Sequence, residues 1–125
     1  MIIGIGVDIV DIRRLRLTLE RQADRFLKRV FTAAEQEYCR AHRDPVPHFA
    51  ARFAAKEAAF KALGTGWAKG VSWLDVEVQR QTAEAPKLIL HGHAGEHGRG
   101  LEVHTAHLSL SHSDEVAIAM VVLEK

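Results

Sequence analysis

The 125-residue chain predicts an α+β fold: one domain, 1–125, with helices packed on a small, mostly antiparallel sheet. Three observations predict it. Apolar residues recur at helical spacing between Ile12 and Leu63. Leu74, Val76 and Val78 then alternate with Asp75, Glu77 and Gln79, the period of a half-buried strand. Short apolar runs stand near both ends, Ile2 to Val7 and Val116 to Leu123, and each fits a buried strand.

The elements follow in order. Ile2 to Val7, with Gly4 and Gly6 interleaved, reads as a strand whose backbone a neighbour approaches closely. It ends at Asp8, a carboxylate that either caps the next turn or faces a ligand from the strand edge. Ile12, Leu15, Leu19, Phe26, Leu27 and Val30 mark one or two amphipathic helices, with Asp11 as N-cap. Thr32 and Glu35 form a capping box that opens a helix to about His42. It stops before Asp44-Pro-Val-Pro47, where proline forbids continuation. Phe49 to Leu63 holds no Gly or Pro and is dominated by Ala, so it predicts a helix, closed by Gly64. Trp73 to Arg80 is a strand, Gln81 to Pro86 a turn, and Lys87 to His91 the returning strand of a hairpin. Glycines at 92, 95, 98 and 100 leave room only for a short, poorly stabilised helix. Leu101 to Leu110 is a further strand, Ser111 to Asp114 a turn, and Val116 to Leu123 the last strand.

Composition excludes several classes of protein. With 47% hydrophobic and 26% charged residues and a net charge of +1, the chain is an ordinary globular one, and its overall charge gives no reason to expect nucleic acid. The single cysteine, Cys39, rules out an internal disulfide and fits a reducing compartment. An acid as early as Asp8 argues against a secretory leader, and no apolar run approaches the roughly 18 residues of a membrane span. A soluble cytoplasmic protein is expected.

The chemistry centres on the Phe49 to Leu63 helix. At about 100° per residue, Phe49, Phe53 and Phe60 fall within roughly 40° of one another. The rest of the circumference is mostly Ala, so the helix is expected to be buried on most sides. Yet it carries Arg52, Lys56, Glu57 and Lys61, and buried charge is costly unless paired or given a ligand. Glu57 and Lys61, four residues apart, point the same way. Three cations and one carboxylate suit a polyanionic ligand with a bridging divalent metal, and Glu57 with Asp8 could hold Mg²⁺. Lys56 lies in the aromatic stripe, where no role for it follows from the sequence. The Gly64-Thr65-Gly66 turn is either an ordinary helix end or a set of amides and a hydroxyl offered to an anion beside Lys61. Arg13, Arg14, Arg16, Arg21, Arg25, Lys28 and Arg29 face only Glu20 and Asp24, which makes either a solvated face or a docking surface for an acidic partner. No aromatic residue interleaves with them, which speaks against single-stranded nucleic acid. His91, His93, His97, His104 and His107 match no zinc spacing and have no Cys partner. His112 reads as a turn histidine, and Ser111, His112 and Asp114 are too close in sequence for a catalytic triad.

Gly4-Ile-Gly-Val-Asp8, the block from Arg52 through Lys56, Glu57 and Lys61 to Gly66, and Ser109-Leu-Ser-His112-Ser together resemble the holo-[acyl-carrier-protein] synthases, the small bacterial 4′-phosphopantetheinyl transferases. The resemblance spans the chain in the right order and includes Phe31 to Glu35. The stretch 92–100 departs from it, being richer in glycine than the family's helix. The resemblance implies transfer of the 4′-phosphopantetheine arm of coenzyme A to a serine of an acidic apo acyl carrier protein, in support of fatty acid biosynthesis, with release of adenosine 3′,5′-bisphosphate. It implies Asp8 and Glu57 as Mg²⁺ ligands, Glu57 and Lys61 as catalytic, and Arg52, Lys61, Gly64, Thr65 and His112 against coenzyme A. It further implies Arg14, Arg21 and Arg25 as the carrier-docking face and a homotrimer with active sites between subunits. Two readings compete with it: a Mg²⁺-dependent phosphate hydrolase using the same carboxylates, and a small RNA- or protein-binding module using the basic stretch 13–29.

Overall fold

One buried helix is flanked by a three-stranded sheet and a two-stranded hairpin. The computed structural model describes residues 1–66, 70–81 and 83–125. Strand β1 (Ile2–Asp11) leads into α1 (Ile12–Val30), α2 (Ala33–Arg40) and α3 (Val46–Leu63). A 3-10 turn (Trp73–Asp75) follows, then β2 (Val76–Gln79), β3 (Lys87–Leu90), α4 (Gly92–Gly100), β4 (Thr105–His112) and β5 (Val116–Glu124). The larger sheet has the order β1-β5-β4 and the smaller is β2-β3, both antiparallel. The α+β expectation holds.

Helix α3 is buried on nearly every side, as its Ala-rich circumference predicts. Its first turn starts three residues earlier than expected. Pro47 sits where no helical N–H is needed, so it opens the helix instead of preventing it. Gly64 closes it in the left-handed region at φ 73°. The glycines of β1 account for the packing: a Cβ at Gly6 would land on the Ala58 carbonyl oxygen, and one at Gly4 on that of Ala62. Strand and helix therefore meet backbone to backbone. Gly6 and the alternate residues Ala117, Ala119, Val121 and Leu123 of β5 are buried toward the core. The opposite face of the same sheet exposes Ile5, Val7, Ile9, Ile118 and Met120, with Ile9 63% and Met120 48% accessible.

Asp11 caps α1 by accepting from the Arg14 amide, and α1 is two helical segments joined across a kink at Gln22, whose φ of −149° and ψ of 46° are not helical. Thr32 and Glu35 form the expected box at the start of α2, which ends two residues short of His42. Glu35 does more than cap. Its Oε1 also accepts from Lys56 Nζ at 2.8 Å and its Oε2 from the Val78 amide at 2.9 Å, both side chains of the ion pair being 0% exposed. Lys56 donates further to the carbonyls of Trp73 and Val76 at 3.0 and 2.6 Å. Burial lowers the Lys56 pKa and Glu35 opposes this, while three acceptors around one nitrogen suit an ammonium, which has three hydrogens to give.

Several boundaries differ from expectation. Strand β1 runs on to Asp11, so Asp8 sits inside it with its side chain on the same face as Gly6. Trp73–Asp75 turns before the strand begins, because Ser72 and Asp75 form a capping box there, and Leu74 is exposed. Helix α4 forms despite its glycines, since Gly95 and Gly98 let it pack against Leu90, which leaves 3.0 and 3.1 Å to a Cβ at those positions. Strand β4 runs from Thr105 to His112, so His112 belongs to a strand end and the turn is Ser113 to Glu115. Thr82 of the expected 81–86 turn lies outside the described residues. Cys39 is fully buried and its thiol is pushed up to about 12, mainly by burial, which makes it inert.

Candidate active site

The close approach of β1 to α3 sets one face of the strand against one face of the helix. Asp8, two residues beyond Gly6, meets Lys61 there: Lys61 Nζ lies 3.1 Å from Asp8 Oδ1 and 3.0 Å from the Val7 carbonyl oxygen. The Asp8 side chain is 20% exposed and that of Lys61 is 55% exposed, so the pair opens to solvent at the lysine end. Glu57, one turn before Lys61, is half-buried. Burial, then the negative charge of Asp8, raises the Glu57 carboxyl above its ordinary value, with Lys61 opposing the shift. Two carboxylates repel each other across this site, and the Lys61 ammonium attracts both. Hard oxygen donors in mutual repulsion at an open edge are the donor set that Mg²⁺ takes together with phosphate and water. The sequence-predicted residues Asp8, Glu57 and Lys61 thus meet in one place.

Beside them a groove of about 470 Å³ runs between β1 and α1, lined by Asp8, Asp11, Arg14, Leu15, Phe26 and Phe53 among others. Arg14 therefore borders both the carboxylates and the basic face. Arg21 and Arg25, on either side of the kink at Gln22, are exposed farther along α1. Arg16 is occupied differently, in a two-pronged bridge to Asp44 at 3.2 and 2.8 Å.

The turn after α3 decides between its two readings in favour of the ordinary helix end. The amides of Gly64, Thr65 and Gly66 are not free for an anion, because they donate to the Lys61 and Phe60 carbonyls that end the helix. The Thr65 hydroxyl bonds to the Phe60 and Gly66 carbonyls. What the turn offers is backbone surface: among the described residues, no atom apart from the glycine's own chain neighbours lies within 4 Å of where a Gly64 Cβ would stand.

Arg52 and His112 lie elsewhere, in a cluster at the first half of α3. Arg52 is 2% exposed; its Nη1 donates to the His48 carbonyl at 3.3 Å, and its guanidinium carbon lies 4.1 Å from the centre of the Tyr38 ring. His112 ends β4 with its ring 5.6 Å from that of His48. Sequence reasoning missed Tyr38, His42 and His48 as members of this cluster, and nothing local marks them, since they come from α2, the loop after it and α3. It also missed Glu35 as the partner of Lys56. The signal for that one existed: a lysine in an aromatic stripe requires a carboxylate. Of the histidines weighed for zinc, His91 pairs with Glu77 and His107 with Glu124, each at 2.9 Å. Among the described residues no three acids, histidines or cysteines are grouped to hold a metal.

The profile described as "4'-phosphopantetheinyl transferase superfamily" matches residues 4–121. A holo-[acyl-carrier-protein] synthase of Koribacter versatilis is 48% identical over 124 residues, covering 99% of both chains. The crystal structure of the Neisseria meningitidis holo-[acyl-carrier-protein] synthase superposes with a TM-score of 0.90 at 31% identity and covers 100% of both chains. That of a Bacillus anthracis holo-(acyl-carrier-protein) synthase in complex with CoA (3′,5′-ADP) gives 0.81 at 40% identity, covering 99% of this chain and 97% of that one. A full-length match in sequence and in fold places the chain in the 4′-phosphopantetheinyl transferase superfamily, among the holo-[acyl-carrier-protein] synthases.

Proposed function

We propose that this enzyme moves the 4′-phosphopantetheine arm of coenzyme A onto a serine of an apo acyl carrier protein, in a Mg²⁺-dependent reaction that serves fatty acid biosynthesis in the cytoplasm. The observation that carries it is the meeting of Asp8, Glu57 and Lys61 at an open edge, in a chain whose relatives are named for this transfer. The serine oxygen forms a bond to the phosphorus that bears the pantetheine arm. The pyrophosphate P–O bond breaks, and adenosine 3′,5′-bisphosphate leaves with the electron pair. Such a reaction needs charge neutralisation more than covalent help.

Asp8 and Glu57 are the residues that would hold Mg²⁺, which supplies positive charge to the pyrophosphate oxygens. Lys61, already at the carboxylates, supplies a further positive charge toward the leaving bisphosphate. The serine proton passes to a base, for which Glu57 and water at the metal site are the two candidates. Gly64 and Thr65 present backbone against which coenzyme A lies, and Arg52 and His112 face it from the second cluster. Arg14, at the edge of the groove, with Arg21 and Arg25 along α1, gives an acidic carrier protein a docking face that ends at the reacting atoms.

The uncovered apolar face of the β1-β5-β4 sheet supports assembly with two further copies of this chain, each covering the Ile5, Val7, Ile9 and Met120 surface of the next. The active sites then lie between subunits. A stable monomer in sedimentation would overturn this part.

The deciding experiment combines the protein with apo carrier protein, coenzyme A and Mg²⁺. A mass gain of one phosphopantetheine on the carrier, lost without metal and lost in Glu57→Ala, is the expected result. Coenzyme A consumed without a carrier protein would favour the hydrolase instead, and near-normal transfer by Glu57→Ala would sink the metal assignment.

A further inference from the structure

Helix α4 has little in its own sequence to hold it together. Glycines stand at 92, 95, 98 and 100 within its nine residues, and each disfavours a helix relative to alanine. Packing compensates. A Cβ at Gly98 would stand 3.1 Å from Leu90 Cδ1 and 3.9 Å from Leu63 Cδ2, and one at Gly95 would stand 3.0 Å from the Leu90 carbonyl oxygen. The backbone of α4 therefore comes down onto both the hairpin and the last residue of α3.

That approach brings a polar side chain to the end of α3. His97, half-buried on α4, has its Nε2 3.1 Å from the Leu63 carbonyl oxygen, 34 positions away in the sequence. A carbonyl only accepts, so Nε2 carries the hydrogen and His97 donates. Leu63 is the final residue of α3, and the last carbonyls of a helix have no partner within it. Those of α3 are met from several directions. The Phe60 carbonyl accepts from the Thr65 and Gly66 amides, and the Lys61 carbonyl from the Gly64 amide. The Ala62 carbonyl lies against Gly4 of β1. The Leu63 carbonyl is met by His97 from α4.

The turn held in this way is the one that carries Lys61 to Asp8 and runs on into Gly64 and Thr65. On the β1 side its support is glycine against backbone, which leaves no side chain to keep the turn in place. A hydrogen bond is directional, weakening steeply away from linearity, so the one from α4 fixes what the glycine contact does not.

We infer that His97 is a positioning residue, whose donation to the Leu63 carbonyl braces the last turn of α3. Under the transferase reading, on which this inference rests, the brace sets where Lys61 and the Gly64-Thr65 backbone stand toward the pyrophosphate of coenzyme A. His97 acts through Leu63, not on the reacting atoms. A histidine that merely stabilised the helix end would affect both substrates alike, whereas a brace of this turn affects coenzyme A.

The test is steady-state transfer with Mg²⁺, varying coenzyme A and apo carrier protein in turn, for wild type, His97→Ala, His97→Asn and His97→Gln. A glutamine amide reaches about as far as imidazole Nε2, and an asparagine amide only about as far as Nδ1. His97→Ala and His97→Asn should raise KM for coenzyme A by roughly tenfold and leave KM for the carrier protein unchanged, while His97→Gln should restore the wild-type value. Alanine is the best helix former, so His97→Ala removes the donor while strengthening the intrinsic helix preference of α4. Without substrate, hydrogen exchange at the Gly64, Thr65 and Gly66 amides should quicken several-fold in His97→Ala and not in His97→Gln. Thermal melts confirm that each variant is folded. A folded His97→Ala with wild-type KM for coenzyme A, or with KM raised equally for both substrates, overturns the brace and leaves the transferase reading standing. Unchanged exchange at the turn, or a His97→Gln no better than His97→Ala, does the same. Failure of folded wild type to transfer phosphopantetheine at all would overturn the transferase reading, and this positioning role with it.

Discussion

Lys56→Met is expected to destabilise the protein by about 3–5 kcal/mol, the usual result of removing one partner from a buried ion pair. The structure supplies the reasons. The ammonium lies 2.8 Å from Glu35 Oε1, 3.0 Å from the Trp73 carbonyl and 2.6 Å from the Val76 carbonyl, and none of its side chain is exposed. Methionine fills nearly the same volume, so the change in packing is small. What remains is a buried Glu35 carboxylate with the Thr32 and Val78 amides but without its counter-charge, and two carbonyls that each lose a donor. Each kilocalorie moves the melting point of a chain this size by roughly 3–5 °C, so a fall of about 10–25 °C is expected.

The assay is urea unfolding followed by circular dichroism, on Lys56→Met, Glu35→Leu and the double variant. The double variant should be more stable than the sum of the two single losses predicts, with a coupling of about 2 kcal/mol or more, because it removes both charges together. A Lys56→Met protein within about 1 kcal/mol of wild type, or strict additivity, would refute the reasoning: the pair would then be no better than a solvent-screened contact.

Gly6→Ala should cost at least about 3 kcal/mol in urea unfolding and abolish transfer, since its Cβ would occupy the position of the Ala58 carbonyl oxygen and strand and helix would have to part. Arg14→Glu should raise KM for the carrier protein several-fold and leave KM for coenzyme A unchanged; equal effects on both would remove the separate docking face. His48 has a folded pKa of about 4 against an ordinary value of 6.5, so the unfolded chain binds its proton more readily. Its stabilisation is complete above pH 6.5 and lost as pH falls toward 4, on the order of 1 kcal/mol once solvent screening of a part-exposed ring is allowed for, and His48→Phe should flatten that stretch of the urea-midpoint profile. Met120→Glu, in the centre of the open sheet face, should shift sedimentation toward the monomer and leave the circular dichroism spectrum unchanged.

The parts of the fold legible in the sequence are those with a local cause. Thr32 and Glu35 lie three residues apart and cap the helix they belong to. Asp11 and Gly64 act on the turn next to them. The alternation of Gly4 and Gly6 announced a close neighbour before that neighbour was known to be α3. Asp8, Glu57 and Lys61 were legible for an energetic reason, as charges on or beside elements too apolar to leave them in water. The illegible parts depend on long-range packing. Nothing near Lys56 says that its carboxylate stands at 35, or that the same carboxylate also caps a helix. Nothing near His42, His48 or His112 says that they share a wall. The amides of Gly64 to Gly66 could have gone to a ligand or to the helix end, and only the conformation of that turn decides for the helix.

These details form one arrangement around α3. Gly4 and Gly6 bring β1 down onto a helix of alanines, and Asp8, two residues farther along the same face, meets the Lys61 ammonium there. Such a contact has little side-chain interlock, because glycine and alanine have little to interdigitate, and helix α3 could slide or roll along it. The Lys56 ammonium removes that freedom. It emerges from α3 beside Glu57 in sequence and is tied at three points to α2, the Trp73–Asp75 turn and β2. The rotation of α3 about its axis is thereby fixed one residue away from the carboxylate that faces Asp8. A buried ion pair that contributes little to net stability against an apolar substitute can still set this angle. Lys56→Met with Glu35→Leu should then recover stability relative to Lys56→Met alone, yet bind Mg²⁺ more weakly than wild type. A double variant with wild-type metal affinity would show that the packing of the aromatic stripe alone orients the helix.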